Sequence, residues 1–217
     1  MLPLAATLYG LFAGAAVLWC WLAGRLPWPL YDPTVSSWAR LAAGLGWGLA
    51  LGLVVVGASR LMVARLGWAR TLYRFFRETL GPLSGRQVLA LALLSSIGEE
   101  LFFRGAMQPA WGVWVTTLIF ALLHFPSRLV LWPWTVMAGV LGLAFAYLTL
   151  WTGSVAGATL AHFLVNLLNL GQIARAEKLP APRAVGRMGD HEADLPDSSV
   201  REPRAAPDSA GRGAEPQ

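Results

Sequence analysis

The chain has 217 residues, of which 56% are hydrophobic and only 13% charged, with eleven tryptophans and a mean hydropathy of +0.53. That balance excludes an ordinary soluble domain and fits a multi-pass membrane protein. The net charge of +5 is not a nucleic-acid signature, because the arginines cluster in one loop, and the single cysteine excludes an intrachain disulfide or a multi-cysteine metal site.

The first apolar run extends from about Leu2 to Ala23. With no basic residue ahead of it and no small-residue cleavage pattern behind it, it reads as a retained span and not a signal peptide. Cys20, inside this run, reads as a small buried hydrophobe. Residues 24–37 form a polar, proline-bearing connection, with Trp28, Tyr31 and Trp38 at interfacial depth. The second span runs from about Leu41 to Ser59, where Gly44, Gly46, Gly48 and Gly52 permit close helix packing. Both spans read as scaffold without chemistry.

A basic loop follows: Arg60, Arg65, Arg70, Arg74, Arg77 and Arg86 stand against Glu78 alone. From Trp68 to Leu80 the arginines are interspersed with aromatic and aliphatic residues, the composition of a helix lying on a membrane surface, and Gly81-Pro82 breaks it. The positive-inside bias makes this loop cytoplasmic and, counting spans, both termini and the Arg128 loop cytoplasmic as well. Arg25 and Arg40 then stand outside.

The third span, about Gln87 to Met107, carries Gly98-Glu99-Glu100-Leu101-Phe102-Phe103-Arg104-Gly105. Up to Arg175 the chain has only four carboxylates, Asp32, Glu78, Glu99 and Glu100, and two of them are adjacent here. A charge at the centre of a membrane helix costs roughly 2.5–3.5 kcal/mol, so such residues are expected to be paired and functional. Glu100 and Arg104 are four apart with the acid on the N-terminal side, the favourable order for an intrahelical ion pair. Glu99 points about 100° away, has no partner at helical spacing, and is left for chemistry.

A turn near Pro109 leads to a fourth span, Trp111 to His124, whose fourteen residues fall short of the roughly 20 needed to cross. His124-Phe125-Pro126 ends it early, since proline disfavours helix in the residue before it. A break at membrane depth is tolerated only in protein or beside a wet cavity, so His124 is expected to face one. The fifth span covers about Trp132 to Trp151, and Gly153 turns the chain. The sixth, Ser154 to Ala174, holds His162 and Asn166 four apart on one face. From Ala176 the proline-rich, charged sequence reads as a disordered tail that includes His191. The expected fold is an all-α polytopic membrane bundle of about six transmembrane helices with the active site inside the bundle. Its parts are scaffold spans and basic loop (1–83), catalytic core (84–175) and tail (176–217).

Glu99-Glu100-Leu101-Phe102-Phe103-Arg104, Phe120-Ala121-Leu122-Leu123-His124 and His162-Phe163-Leu164-Val165-Asn166 follow one another in order, each on a span. This resembles the three-motif pattern of the CPBP intramembrane proteases, which groups type II CAAX prenyl proteases with bacteriocin-processing and self-immunity proteins. The resemblance covers about Ser84 to Leu170. It implies peptide-bond hydrolysis inside the membrane, with Glu99 as general base, His124 helping to hold the water, and His162 with Asn166 stabilising the oxyanion. Glu100 and Arg104 support the site. No cofactor is required on this reading; zinc held by Glu99, His124 and His162 is the alternative, although no His-Glu-x-x-His helix is present.

The implied substrate is a membrane-embedded or lipid-anchored protein or peptide, the other partner is the lipid bilayer, and no nucleic acid is involved. Sixteen arginines against one lysine, with abundant Ala and Gly, suggest a GC-rich bacterial genome and hence the bacterial inner membrane. Two rival readings are a non-catalytic immunity or scaffold relative and a proton-coupled transporter, since intramembrane Glu, His and Arg also build proton relays.

Overall fold

The computed structural model describes residues 2–27, 37–126 and 131–175, and it contains no strand among the described residues. The readings of Trp28 and Tyr31, of the Arg128 loop, and of the tail with His191 lie outside them. The helices are α1 (Leu2–Leu22), α2 (Ser37–Arg65), α3 (Gly67–Leu80), α4 (Gly85–Glu100), a seven-residue π-helical segment (Leu101–Met107), α5 (Gln108–Leu123), α6 (Trp132–Thr152) and α7 (Ala156–Arg175).

Among the described residues, four helical stretches are long and apolar enough to cross a membrane: Leu2–Leu22, Trp38–Arg65, Gly85–Leu123 and Trp132–Thr152. The third is not one rod. Along a straight helix Glu99 and His124 would stand about 37 Å apart, yet their side chains approach to 3.8 Å. The chain therefore folds back between them, and Gly112, with φ +79° and ψ 171°, is the residue that leaves the helical conformation. The reversal comes three residues after the expected turn at Pro109. Proline is tolerated in the first turn of α5, whereas positive φ suits glycine. The sixth expected span is present as α7, but His162, Asn166, Asn169, Gln172 and Arg175 make it more polar than the four stretches above.

The bundle keeps its polar site residues inside, among buried apolar side chains such as Phe103, Phe120 and Phe145, and is apolar without. Leu4, Trp21, Trp47, Trp114 and Trp151 are exposed, while Ser95, Glu99, Glu100, Arg104, Gln108 and His162 are buried. Polar atoms inside and apolar side chains outside suit a lipid solvent. The glycine seam of α2 packs on α7 as expected. A Cβ at Gly48 would collide with the Gly157 carbonyl, and one at Gly52 would lie 3.1 Å from Leu164 Cβ; Gly46 alone of the four faces open space. This seam holds α7, and with it His162, against the rest of the bundle.

The surface helix α3 forms where expected and is fastened by its arginines. Arg70 Nη1 donates to Ala64 O at 3.1 Å, at the end of α2. Arg77 Nη1 donates to Ile173 O at 3.0 Å and Ala174 O at 2.6 Å, at the end of α7. Cations on terminal carbonyls satisfy groups that a helix end leaves unpaired. Beside them Tyr73 donates to Asn169 O at 3.3 Å. Burial pushes its phenol up to about 12, so it remains a donor at neutral pH.

Candidate active site

The site begins with the placement of α4. Ser84 caps its first turn, accepting from Gln87 N–H while the Gln87 side chain accepts from Ser84 N–H. One face of the helix then carries Ser95 and Glu99, four residues apart. Gly98 lets α1 pass close by: a Cβ there would sit 2.7 Å from Tyr9 O. The approach sets the Tyr9 hydroxyl near the Glu99 carboxylate. The first span, read from sequence as scaffold only, therefore contributes to the site. Nothing local in the sequence reveals this, because it follows from how α1 docks on α4.

After Glu100 the helix widens. Gln108 N–H bonds to Phe103 O, five residues back, as in a π-helix. Pro109 has no N–H to offer Gly105 O, the carbonyl it would reach in an α-helix. Arg25 fills the gap: Nη1 donates to Gly105 O and Nη2 to Ala106 O, each at 2.7 Å. A Cβ on Gly105 would collide with the Pro27 carbonyl, which explains the glycine after Arg104. Arg25, left without a role on sequence grounds, is the clamp on this segment.

Arg104 is fully buried. Its Nη1 meets Glu100 Oε1 at 3.1 Å, the ion pair expected from spacing, and its Nη2 donates to Gly142 O at 3.0 Å. The guanidinium lies 4.4 Å from the Phe120 ring centroid, with Phe103 and Phe145 also alongside. Glu100 has a second partner that the spacing did not reveal: His162 Nδ1 lies 2.8 Å from the same Oε1. The His162 ring stacks on Phe145 at 5.5 Å.

The two histidines are oriented alike. His124 Nδ1 lies 2.7 Å from Phe120 O, and His162 Nδ1 lies against Glu100. A carbonyl and a carboxylate only accept, so both Nδ1 atoms carry protons and both Nε2 atoms are turned elsewhere. Both face Glu99: Oε2 is 3.8 Å from His124 Nε2 and 4.0 Å from His162 Nε2. These separations are too long for direct hydrogen bonds. Glu99 Oε2 is buried and makes no hydrogen bond to the described residues. The arrangement can hold one small polar species between a carboxylate and two imidazoles.

Zinc would match these donors in type, since both imidazoles have their second nitrogen held by an acceptor. It matches less well in spacing. Ligands at about 2.0–2.1 Å in a tetrahedron stand roughly 3.3–3.4 Å apart, and here the atoms stand 3.8 and 4.0 Å apart.

Asn166 lies one turn beyond His162 on α7, and its Nδ2 donates to Ser95 Oγ at 2.8 Å. Thus Glu99, Glu100, Arg104, His124 and His162 form one cluster, and Asn166 joins it through a residue the sequence reading did not single out. The signal for Ser95 was available, as a polar residue four before Glu99 on the same helix face.

Residues 82–168 match the family model described as type II CAAX prenyl endopeptidase Rce1-like. This stretch contains every residue of the cluster except Tyr9 and the Arg25 clamp. The chain is also similar to the uncharacterized protein YpbD of Bacillus subtilis (strain 168), 34% identical over 86 residues, which is 40% of this chain and 45% of that protein. The aligned region thus spans under half the length of that curated relative. No solved structure matches the chain.

Proposed function

We propose that this protein is an intramembrane endopeptidase that hydrolyses a peptide bond of a membrane-embedded or lipid-anchored protein or peptide, with Glu99 as the general base. The observation that carries the reading is the convergence of His124 Nε2 and His162 Nε2 on Glu99 Oε2, from three different elements. The family-model match, to a family of endopeptidases, supports the coarser half of it.

In this mechanism a water lies between Glu99 and the His124 imidazole. Glu99 takes one of its protons as the water oxygen attacks the carbonyl carbon. The carbonyl electron pair moves onto oxygen, and the oxyanion is met by Asn166 and by His162. In its imidazolium form His162 carries two N–H groups, one for Glu100 and one for the oxyanion. Protonated Glu99 then gives its proton to the amide nitrogen, the C–N bond breaks, and a carboxylic acid, which keeps the water's other proton, and an amine leave, with Glu99 again a carboxylate. Glu100 and Arg104 hold His162 and the helix walls without touching the reacting atoms.

The arginines of α2 and α3 support a cytoplasmic placement of that face, with both termini inside. Cleavage of a quenched hydrophobic peptide by membranes carrying wild-type protein but not Glu99→Gln is the test. Undiminished cleavage by Glu99→Gln would overturn the proposal.

A further inference from the structure

Asn166 is read above as an oxyanion donor, and a side-chain amide serves that role only if its nitrogen is turned the right way. An amide has two faces of similar shape, one accepting and one donating. What decides between them here is Ser95. Its hydroxyl has a single proton, and Leu91 O, 2.8 Å away in its own helix, is the nearest backbone acceptor for it, with Ala92 O at 3.4 Å. Toward Asn166, 2.8 Å distant, Ser95 Oγ therefore offers a lone pair. With that proton on the helix carbonyl, the amide presents Nδ2 there, because Oδ1 would set two acceptors against each other. Ser95 itself is buried, so no bulk water competes for the contact.

We propose that Ser95 is a positioning residue for the reaction: it holds the Asn166 amide with Nδ2 toward α4, so that its second N–H serves the reacting carbonyl. The proposal rests on the reading of Asn166 as an oxyanion donor. The helices make two rungs, Glu99 with His162 and Ser95 with Asn166. Four residues along a helix separate such rungs by about 6 Å, room for one carbonyl group between base and donor. Ser95 touches no reacting atom; it acts through Asn166.

The experiment compares four variants in membranes, using a quenched hydrophobic peptide that wild-type protein cleaves. Ser95→Ala removes the lone pair and should lower kcat roughly tenfold, less than outright loss of an oxyanion donor, with KM and the thermal midpoint unchanged. Ser95→Thr keeps a hydroxyl able to bond the carbonyl four residues back, and should restore most of the rate. In Asn166→Ala, already slow, adding Ser95→Ala should cost nothing more, the non-additivity expected of residues acting through one group. Wild-type kcat in Ser95→Ala, or fully additive losses in the double variant, would overturn the proposal. A fall in thermal midpoint equal for Ser95→Ala and Ser95→Thr would reassign Ser95 to packing. Asn166→Ala with undiminished activity would instead remove the reading of Asn166 on which the proposal stands.

Discussion

Glu100 Oε1 accepts from two partners at once, Arg104 Nη1 at 3.1 Å from its own helix and His162 Nδ1 at 2.8 Å from α7. Its neighbour Glu99, one residue earlier, faces both histidines through their Nε2 atoms. Adjacent acids therefore have opposite assignments. One is held by cations and donors that fix its position, and the other is turned toward the two imidazole Nε2 atoms.

This division sets the first prediction. Removing one partner of a buried ion pair costs about 3–5 kcal/mol, a large part of a domain's stability. Glu100→Gln and Arg104→Ala should each lower the thermal midpoint in detergent and reduce abundance, while Glu99→Gln, whose histidine contacts are longer at 3.8 and 4.0 Å, should melt near wild type yet fail to cleave. Melts of all three beside a cleavage assay decide it. A stable but inactive Glu100→Gln with an active Glu99→Gln would exchange the two roles.

The sequence made the ion pair and the glycine seam legible because both depend on spacing within one helix: Glu100 to Arg104, and Gly44, Gly48 and Gly52 along α2. It made the histidines legible because polar residues in apolar helices have few uses. What it did not disclose depends on contacts between distant elements. Tyr9 beside Glu99 and Arg25 on Gly105 join residues about eighty or ninety apart, and no periodicity encodes which helix docks on which. The π-helical widening was hidden for a different reason. It depends on a carbonyl that Pro109 leaves unpaired and on a clamp supplied by another segment, so it has no local pattern of its own.

Tyr9 carries the second prediction. The phenol lies near the Glu99 carboxylate, and a hydrogen bond formed to it during turnover would contribute about 1.5–3 kcal/mol, so Tyr9→Phe should reduce kcat by roughly ten- to a hundredfold. The ring of Tyr9 also packs edge-on against Phe12 at 6.5 Å, and phenylalanine preserves that contact. The thermal midpoint should therefore hold. A Tyr9→Phe variant with wild-type turnover would return α1 to the scaffold role read from its sequence.

The third prediction concerns metal. With Nε2···Oε2 separations of 3.8 and 4.0 Å, wider than a zinc tetrahedron requires, purified active protein should contain far less than one zinc per chain, and chelation should leave cleavage intact. Elemental analysis of active preparations, before and after chelator treatment, measures both. Stoichiometric zinc whose removal abolishes activity and whose return restores it would make Glu99, His124 and His162 a metal site.

The last prediction tests the π-helical segment through Gly105. Its Cα faces the Pro27 carbonyl so closely that any Cβ must displace one of the two segments. Forced overpacking of this kind costs typically about 1–3 kcal/mol. Gly105 O and Ala106 O are also the carbonyls that Arg25 bonds, with the Cys20 thiol a weaker second donor to Gly105 O at 3.6 Å, and a buried acceptor stripped of its strong donor costs about 1–3 kcal/mol. Gly105→Ala should therefore lower the thermal midpoint and, by pushing the Arg25 segment away, should reproduce much of the loss seen in Arg25→Ala. Combining the two should cost less than their sum, because both act on one contact. Gly46→Ala is the control: that glycine faces open space on α2, so the change should leave the midpoint unchanged or slightly higher. If Gly105→Ala melts like Gly46→Ala, the close approach of Pro27 to Gly105 is not what holds the segment, and the clamp must rest on Arg25 alone.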